Sequence, residues 1–205
     1  MNQILQTKSK KSIYKKFITI FILSMVIILI LLIIYIVNLI QYNKEKNFSE
    51  YISKNYKVYK LYANDNTNSF LLNDEDIIGN ISIPKLNLNY PFFYGISDEL
   101  LKLSPCRFQG EMPPAKSNLC IAGHNYNDNR FFSQISNLSF NDLIIIENNS
   151  KNKFYYYVDN IYEVSEENLN FTVNSVSNYL ELTLITCNNS NNKRIVVKAK
   201  TESLY

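Results

Sequence analysis

The stretch YLELTLITCNNSNNKRIVVKAK, residues 179–200, reads as two apolar, β-branched runs divided by five polar residues, Asn188–Asn192. Runs of this composition, bounded by turn formers, are strand signals. Tyr179–Cys187 and Arg194–Lys200 are therefore expected as strands, and pairing them through a hairpin would bring Arg194 back beside Cys187. The same pattern recurs toward the N-terminus, in Ile78–Ile83, Leu88–Tyr94, Arg107–Gln109, Asn118–Ala122, Leu143–Glu147 and Lys153–Glu163. Pro84, Pro91, Pro113-Pro114 and Asn148-Asn149 punctuate these runs. Eight short strands imply a mainly all-β, antiparallel-rich barrel or sandwich. Two short helices fit between them, Ser97–Leu103 and Phe131–Leu138, with Ser97 as the cap of the first because Asp98 and Glu99 suit a first turn.

Before this region the chain has a different character. Residues 17–40, FITIFILSMVIILILLIIYIVNLI, are 24 residues without a charge, enough to cross a hydrocarbon core about 30 Å thick. The stretch is longer than the apolar part of a cleavable signal and does not end in small residues, so an uncleaved signal anchor is expected. Lys8, Lys10, Lys11, Lys15 and Lys16 precede it with no acidic residue among them. They should hold residues 1–16 in the cytoplasm as a basic tail and place everything after the anchor outside the cell membrane. Residues 41–76 are polar and read as an irregular stalk, with a helix expected around Phe48–Leu61. Residues 77–205 are the expected folded domain.

Charge excludes one class of function. Of the 21 Lys and Arg, five lie in the tail, which leaves 16 basic residues against 18 Asp and Glu in the rest of the chain. A nucleic-acid binder carries its positive charge on the folded domain, so no nucleic-acid partner is expected. One histidine cannot build a multi-histidine metal site, and no Gly-rich phosphate loop or CxxC pair is present.

Three cysteines, Cys106, Cys120 and Cys187, leave at least one thiol unpaired. Cys106 and Cys120 have no spacing that demands a bond. Cys120 lies in the apolar run Leu119–Ala122 and reads as a small buried hydrophobe. Cys187 instead ends a strand at a polar loop, where a rigid element can present a thiol to solvent. An ordinary thiol is only ~3% thiolate at pH 7, so a nucleophile needs a cationic neighbour. His124, in Ala122-Gly123-His124-Asn125-Tyr126, is the only imidazole in the chain, and Arg194 lies seven residues after Cys187. A fixed guanidinium there could stabilise an oxyanion. On spacing alone, structural and catalytic roles for the three residues both stay open.

At these residues the sequence resembles the sortase family. Thr183-Leu184-Ile185-Thr186-Cys187 matches the family's Thr-Leu-x-Thr-Cys motif, Gly123-His124 its Gly-His, and Arg194 its arginine at the start of the next strand, all in the family's order. The run Ile78–Pro84, with Gly79–Pro84 (GNISIP) within it, also resembles the family's first barrel strand. The resemblance implies an eight-stranded sortase-type β-barrel and a cysteine transpeptidase. It implies Cys187 as nucleophile, His124 as general acid and then base, Arg194 as the holder of substrate and oxyanion, and Thr186 as a substrate contact. The implied partners are secreted proteins bearing a C-terminal, LPxTG-like sorting signal and an amine of a Gram-positive cell-wall precursor.

Residues 41–76 contain no Asp-Pro lid motif, no apolar tail precedes Tyr205, and Val164–Tyr179 is short. A class A- or class D-like enzyme is thus expected, rather than the pilin-polymerising class C or haem-linked class B. Some class A members bind calcium, and Glu111, Asp128, Glu166 and Glu167 occupy comparable loops. Acidic loop residues are ordinarily just solvated, so no cofactor is expected and calcium stays an open alternative. The competing functions are a pilin-linking sortase, a surface cysteine peptidase and a non-catalytic membrane-tethered β-barrel binding module.

Overall fold

The structure, a computed structural model, describes residues 2–55, 77–126, 128–173 and 179–202. The chain divides into two compact units, Met1–Lys46 and Asn47–Tyr205.

The first unit is helical. Helix α1 (Asn2–Asn55) runs through the lysine-rich tail and the uncharged stretch. Its large apolar side chains from Phe17 to Ile40 are exposed on every face, the pattern of a helix whose solvent is lipid. It is the one helix among the described residues long and apolar enough to cross a membrane. The helix also continues through residues 41–47, which were expected to be irregular, and on through 48–55, where a helix was expected. The reason is that no Pro or Gly occurs between residues 2 and 55, so nothing in the sequence stops it. Gln41 Nε2 donates to Glu45 Oε1 at 3.3 Å, one helical turn on. The rest of the expected stalk, residues 56–76, lies outside the described residues.

The second unit is a barrel of eight strands: β1 (Ile77–Ile83), β2 (Leu88–Phe93), β3 (Cys106–Gln109), β4 (Asn118–Ala122), β5 (Leu143–Asn148), β6 (Lys153–Ser165), β7 (Glu181–Asn188) and β8 (Lys193–Lys200). They close in the order β1-β2-β3-β4-β7-β8-β6-β5. Only β2–β3 and β4–β7 pair in parallel. Closure removes the free edges that an open sheet of this composition would leave. The expected strands all form, with ends displaced by one or two residues.

Alternation decides which side chains fill the barrel. Ile81, Ile83, Phe92, Leu119, Ile121, Ile144, Ile146, Leu182, Leu184 and Val197 interdigitate inside it. Removing such surface from water contributes about 25 cal/mol per Å². At one end Phe48, from the last turns of α1, joins Ile77, Phe93, Leu100 and Cys106. A third cluster lies on the outer face of β4, β7 and β8, where Cys120, Ile185 and Val196 receive Phe171 from the β6–β7 connection.

Helix α2 (Asp98–Leu103) forms as expected, with Ser97 Oγ accepting from Leu100 N at 3.2 Å. The expected helix Phe131–Leu138 does not form; only Ile135–Asn137 makes a single 3₁₀ turn. Its proposed first turn is blocked because Phe131 is held at φ 52° and bridges Asn125, in the left-handed region that cannot start a right-handed helix. Burial of the Phe131 ring against Tyr90, centroids 5.1 Å apart, fixes that backbone.

Candidate active site

Cys187 is the last residue but one of β7, and the turn that follows explains why the strand stops there. Asn188 Oδ1 accepts from Ser190 N at 3.0 Å and from Ser190 Oγ at 2.6 Å. Asn191 Oδ1 accepts from Lys193 N at 3.2 Å, and Asn192 takes φ 53°. Asparagine side chains replace strand partners with local ones and tolerate the left-handed region. The other ends of the same amides donate to Glu163 on β6, Asn191 Nδ2 at 3.0 Å and Asn188 Nδ2 more closely.

Two neighbouring strands carry the other two candidates to the thiol. Cys187 and Arg194 are directly opposed across the antiparallel β7–β8 pair, so their side chains share a face with Cβ atoms about 5 Å apart. On the other side, β4 runs parallel to β7, and the register ends with Ala122 beside Ile185. His124 lies two residues past Ala122 and Cys187 two past Ile185, so the two come level beyond the last pair. That alignment is held by three hydrogen bonds. Gly123 N donates to Ile185 O at 3.0 Å, Thr186 Oγ1 to Gly123 O at 2.7 Å, and Asn125 Nδ2 to Cys187 O at 2.7 Å. A fourth, Asn189 Nδ2 to Asn125 O at 3.1 Å, ties the two loops beyond the strands.

The row is on the outside of the barrel. Thr183, Ile185 and Cys187 alternate with the core residues Leu182 and Leu184, and Cys187 emerges exposed where the row leaves the cover of Phe171. The other thiols are not rivals. Cys106 and Cys120 are unpaired and buried, and burial pushes the Cys106 thiol up to about 12 and Cys120 to about 11, so both stay protonated at neutral pH.

Arg194 is partly covered. Its Nη2 lies 3.8 Å from Glu166 Oε1, and the glutamate side chain is 70% exposed. An ion pair that long and that wet holds the guanidinium only weakly. His124 has a more built surround. Its ring packs against Tyr126 with centroids 5.1 Å apart, and the Arg130 guanidinium lies over Tyr126 at 4.3 Å. Arg130 Nε donates to Asp128 Oδ2 at 2.7 Å. His124 O accepts from Phe132 N at 3.1 Å, which folds the loop back onto the end of β4.

Thr186, expected as a substrate contact, sits at the joint between β4 and β7. The residue is 3% exposed and its hydroxyl donates to Gly123 O, which ties the two strand ends together. Among the described residues no three His, Cys, Asp or Glu side chains gather where they could hold a metal ion. Of the four acids read as calcium candidates, Asp128 is paired with Arg130 and Glu166 faces Arg194. Sequence reasoning quoted Asn125 without giving it a role and passed over Glu163 and Arg130. Nothing in their local sequence marks them, since each acts across the barrel or around a loop.

Comparison with known proteins supports this reading of the fold. A family model described as the sortase domain matches residues 81–202. Sortase A of Bacillus anthracis is 30% identical over 129 residues, which cover 62% of this chain and 60% of that protein. The chain thus spans only about 60% of the length of the curated relative it matches. Among solved structures, sortase A of Listeria monocytogenes superposes with a TM-score of 0.57 at 24% identity, over 63% of this chain and 92% of the other. Sortase A of Corynebacterium diphtheriae gives 0.58 at 21% identity, over 78% and 85%. Sortase C1 of Streptococcus suis gives 0.57 at 20% identity, over 64% and 75%. The matched segment takes in every strand but the start of β1, together with His124, Cys187 and Arg194, and the chain belongs to the sortase family.

Proposed function

We propose that this chain is a membrane-anchored cysteine transpeptidase that joins a secreted protein to an amine of the cell wall. The observation that carries the reading is the row across three strands: an exposed thiol, Cys187, with Arg194 directly opposed on β8 and His124 level with it past the end of β4. A thiol, an imidazole and a guanidinium carried at neighbouring strand ends are the parts an acyl transfer needs.

The steps follow from those groups. The Cys187 thiolate attacks the carbonyl carbon of the scissile bond in a C-terminal sorting signal, and the carbonyl oxygen takes the negative charge. The Arg194 guanidinium faces that oxygen and holds the substrate. The tetrahedral adduct collapses, the C–N bond breaks, and His124 gives its proton to the departing amine. A thioester to Cys187 remains. An incoming amine attacks it, His124 accepts the surplus proton, and the C–S bond breaks to release the joined product and the thiolate. Splitting the exchange into two displacements is the usual gain of covalent catalysis.

An LPxTG-like signal and a peptidoglycan-precursor amine are the substrates we assign, in an anchoring enzyme of the class A or class D kind. The relation to a sortase A and the short β6–β7 connection, residues 166–180, support that reading. Residues 1–16 are taken as a cytoplasmic tail, 17–40 as the anchor, 41–76 as the stalk and 77–205 as the catalytic barrel outside the membrane. Confinement to the surface that carries both substrates raises their effective concentration.

The test uses a fluorogenic sorting-signal peptide, with and without an amine acceptor. Acceptor-dependent ligation that disappears in Cys187→Ala is the expected result. Cleavage retained by Cys187→Ala would remove the assignment, and hydrolysis alone at every acceptor concentration would make the protein a cysteine peptidase.

A further inference from the structure

The outer row that ends in Cys187 begins with polar residues that the chemistry above does not use. On β7 the row is Thr183, Ile185, Cys187, and on β8 their partners are Lys198, Val196 and Arg194. Four residues of strand separate Thr183 from Cys187, about 13 Å. Lys198 Nζ donates to Thr183 Oγ1 at 2.9 Å and to Phe171 O at 3.1 Å. Thr183 Oγ1 donates to Asn118 Oδ1 at 2.7 Å. Asn118 Nδ2 in turn donates to Phe171 O at 2.9 Å and to Val173 O at 3.4 Å. Asn118 and Thr183 are 1% and 0% exposed.

Two side chains from the barrel therefore converge on one carbonyl of the β6–β7 connection. Buried polar groups on a β-barrel face are costly unless they are bonded, and here Lys198 and Asn118 both bond to the same segment while Thr183 links the two. The Phe171 ring beside that carbonyl is 4% exposed, against Cys120, Ile185 and Val196. Ile185 and Val196 are each two residues from Cys187 and Arg194. Glu166, at the start of the same connection, is the acid that faces Arg194. Whatever sets Phe171 thus sets the ground next to both candidate groups. Burial holds the Lys198 ammonium below the usual lysine range, with Glu181 and Cys120 opposing that effect, which fits a cation seated in the protein rather than in water.

We propose that Lys198, Thr183 and Asn118 form a positioning cluster that fixes the Phe171 segment as a preset wall of the peptide-binding surface beside Cys187. The inference rests on the transpeptidase reading, but its first readout does not. In the full-length protein in detergent, Lys198→Met and the near-isosteric Thr183→Val are compared with wild type. Amide exchange over residues 168–173 should quicken ~10-fold or more. For the sorting-signal peptide, KM should rise ~5-fold or more with kcat within about twofold, as a loss of preorganised binding requires. The rate at which iodoacetamide alkylates Cys187 should also stay within about twofold, since the thiol itself is untouched. Unchanged exchange in both variants overturns the proposal, and so does faster exchange with an unchanged KM. A general loss of kcat, alkylation rate and folding in Thr183→Val as well as Lys198→Met also overturns it, because it would make the cluster merely structural. If wild type does not process the peptide, the transpeptidase reading falls while the exchange data still decide whether the cluster holds the segment.

Discussion

Cys187 differs from the other two thiols by environment rather than by chemistry. Cys106 and Cys120 are fully buried and held protonated by that burial, whereas Cys187 stands exposed at a strand end. Native protein treated with excess iodoacetamide at neutral pH should therefore gain one adduct, on Cys187, and three only after denaturation; mass spectrometry of the native sample would contradict this with any labelling at Cys106 or Cys120. The neighbouring backbone is equally exacting. A Cβ on Gly123 would lie 2.8 Å from ring carbons of Phe132, itself fully buried. Gly123→Ala must push the strand end outward, at a cost of ~1–3 kcal/mol for overpacking, and His124 is the next residue. The expected outcome is a lower melting temperature together with a fall in peptide turnover larger than the fall in folded fraction. Turnover that merely tracks the folded fraction would show that Gly123 does not set His124.

At the scale of elements, the β7–β8 turn depends on a carboxylate from β6. The Asn191 amide and then the Asn188 amide hold Glu163 below its ordinary value of 4.5, with Lys193 adding to the effect. A carboxyl whose folded pKa is depressed contributes stability that is fully present above the unfolded value and lost as pH falls through the folded one. The melting temperature of wild type should exceed that of Glu163→Gln most near neutral pH, and the gap should close below about pH 4. A gap of constant size from pH 7 to pH 3 would show that the turn does not use the charge. This turn also shows what sequence could and could not reveal. Asn188–Asn192 announces a break by composition, and the strands either side follow from their β-branched runs. The partner Glu163, 25 residues from Asn188, is invisible in that pattern because barrel closure, not local preference, brings it there. The failed helix at Phe131–Leu138 has a similar cause: its periodicity is helical, but burial of Phe131 against Tyr90 imposes a left-handed backbone. For the candidate site, the strand-end thiol, the single histidine and the arginine were legible. Their alignment was not, since it depends on the parallel β4–β7 register and on Asn125 reaching Cys187 O.

On the scale of the whole molecule, two parts with opposite solvent preferences share one chain. The apolar side chains of Phe17–Ile40 face outward on all sides of α1, while the barrel buries its apolar residues inside and carries its charges outside. Lysine crowding before the apolar helix, five residues of one sign within 16, favours a cytoplasmic N-terminus because moving each lysine across the bilayer is costly. The proposed orientation would put Cys187 on the outer surface, where its proposed substrates are. It would also put the thiol within reach of a reagent that cannot cross the membrane. Intact cells expressing the full chain, treated with a membrane-impermeant maleimide, should label Cys187 as fully as cells made permeable first, and Cys187→Ala should abolish the signal, because the remaining thiols are buried. Moving the charge should move the domain: replacing Lys8, Lys10, Lys11, Lys15 and Lys16 by glutamine removes the bias that retains the tail, and the fraction labelled in intact cells should drop. Labelling that appears only after permeabilisation would place the barrel in the cytoplasm and, with it, separate Cys187 from the wall-linked amine that the proposed reaction requires.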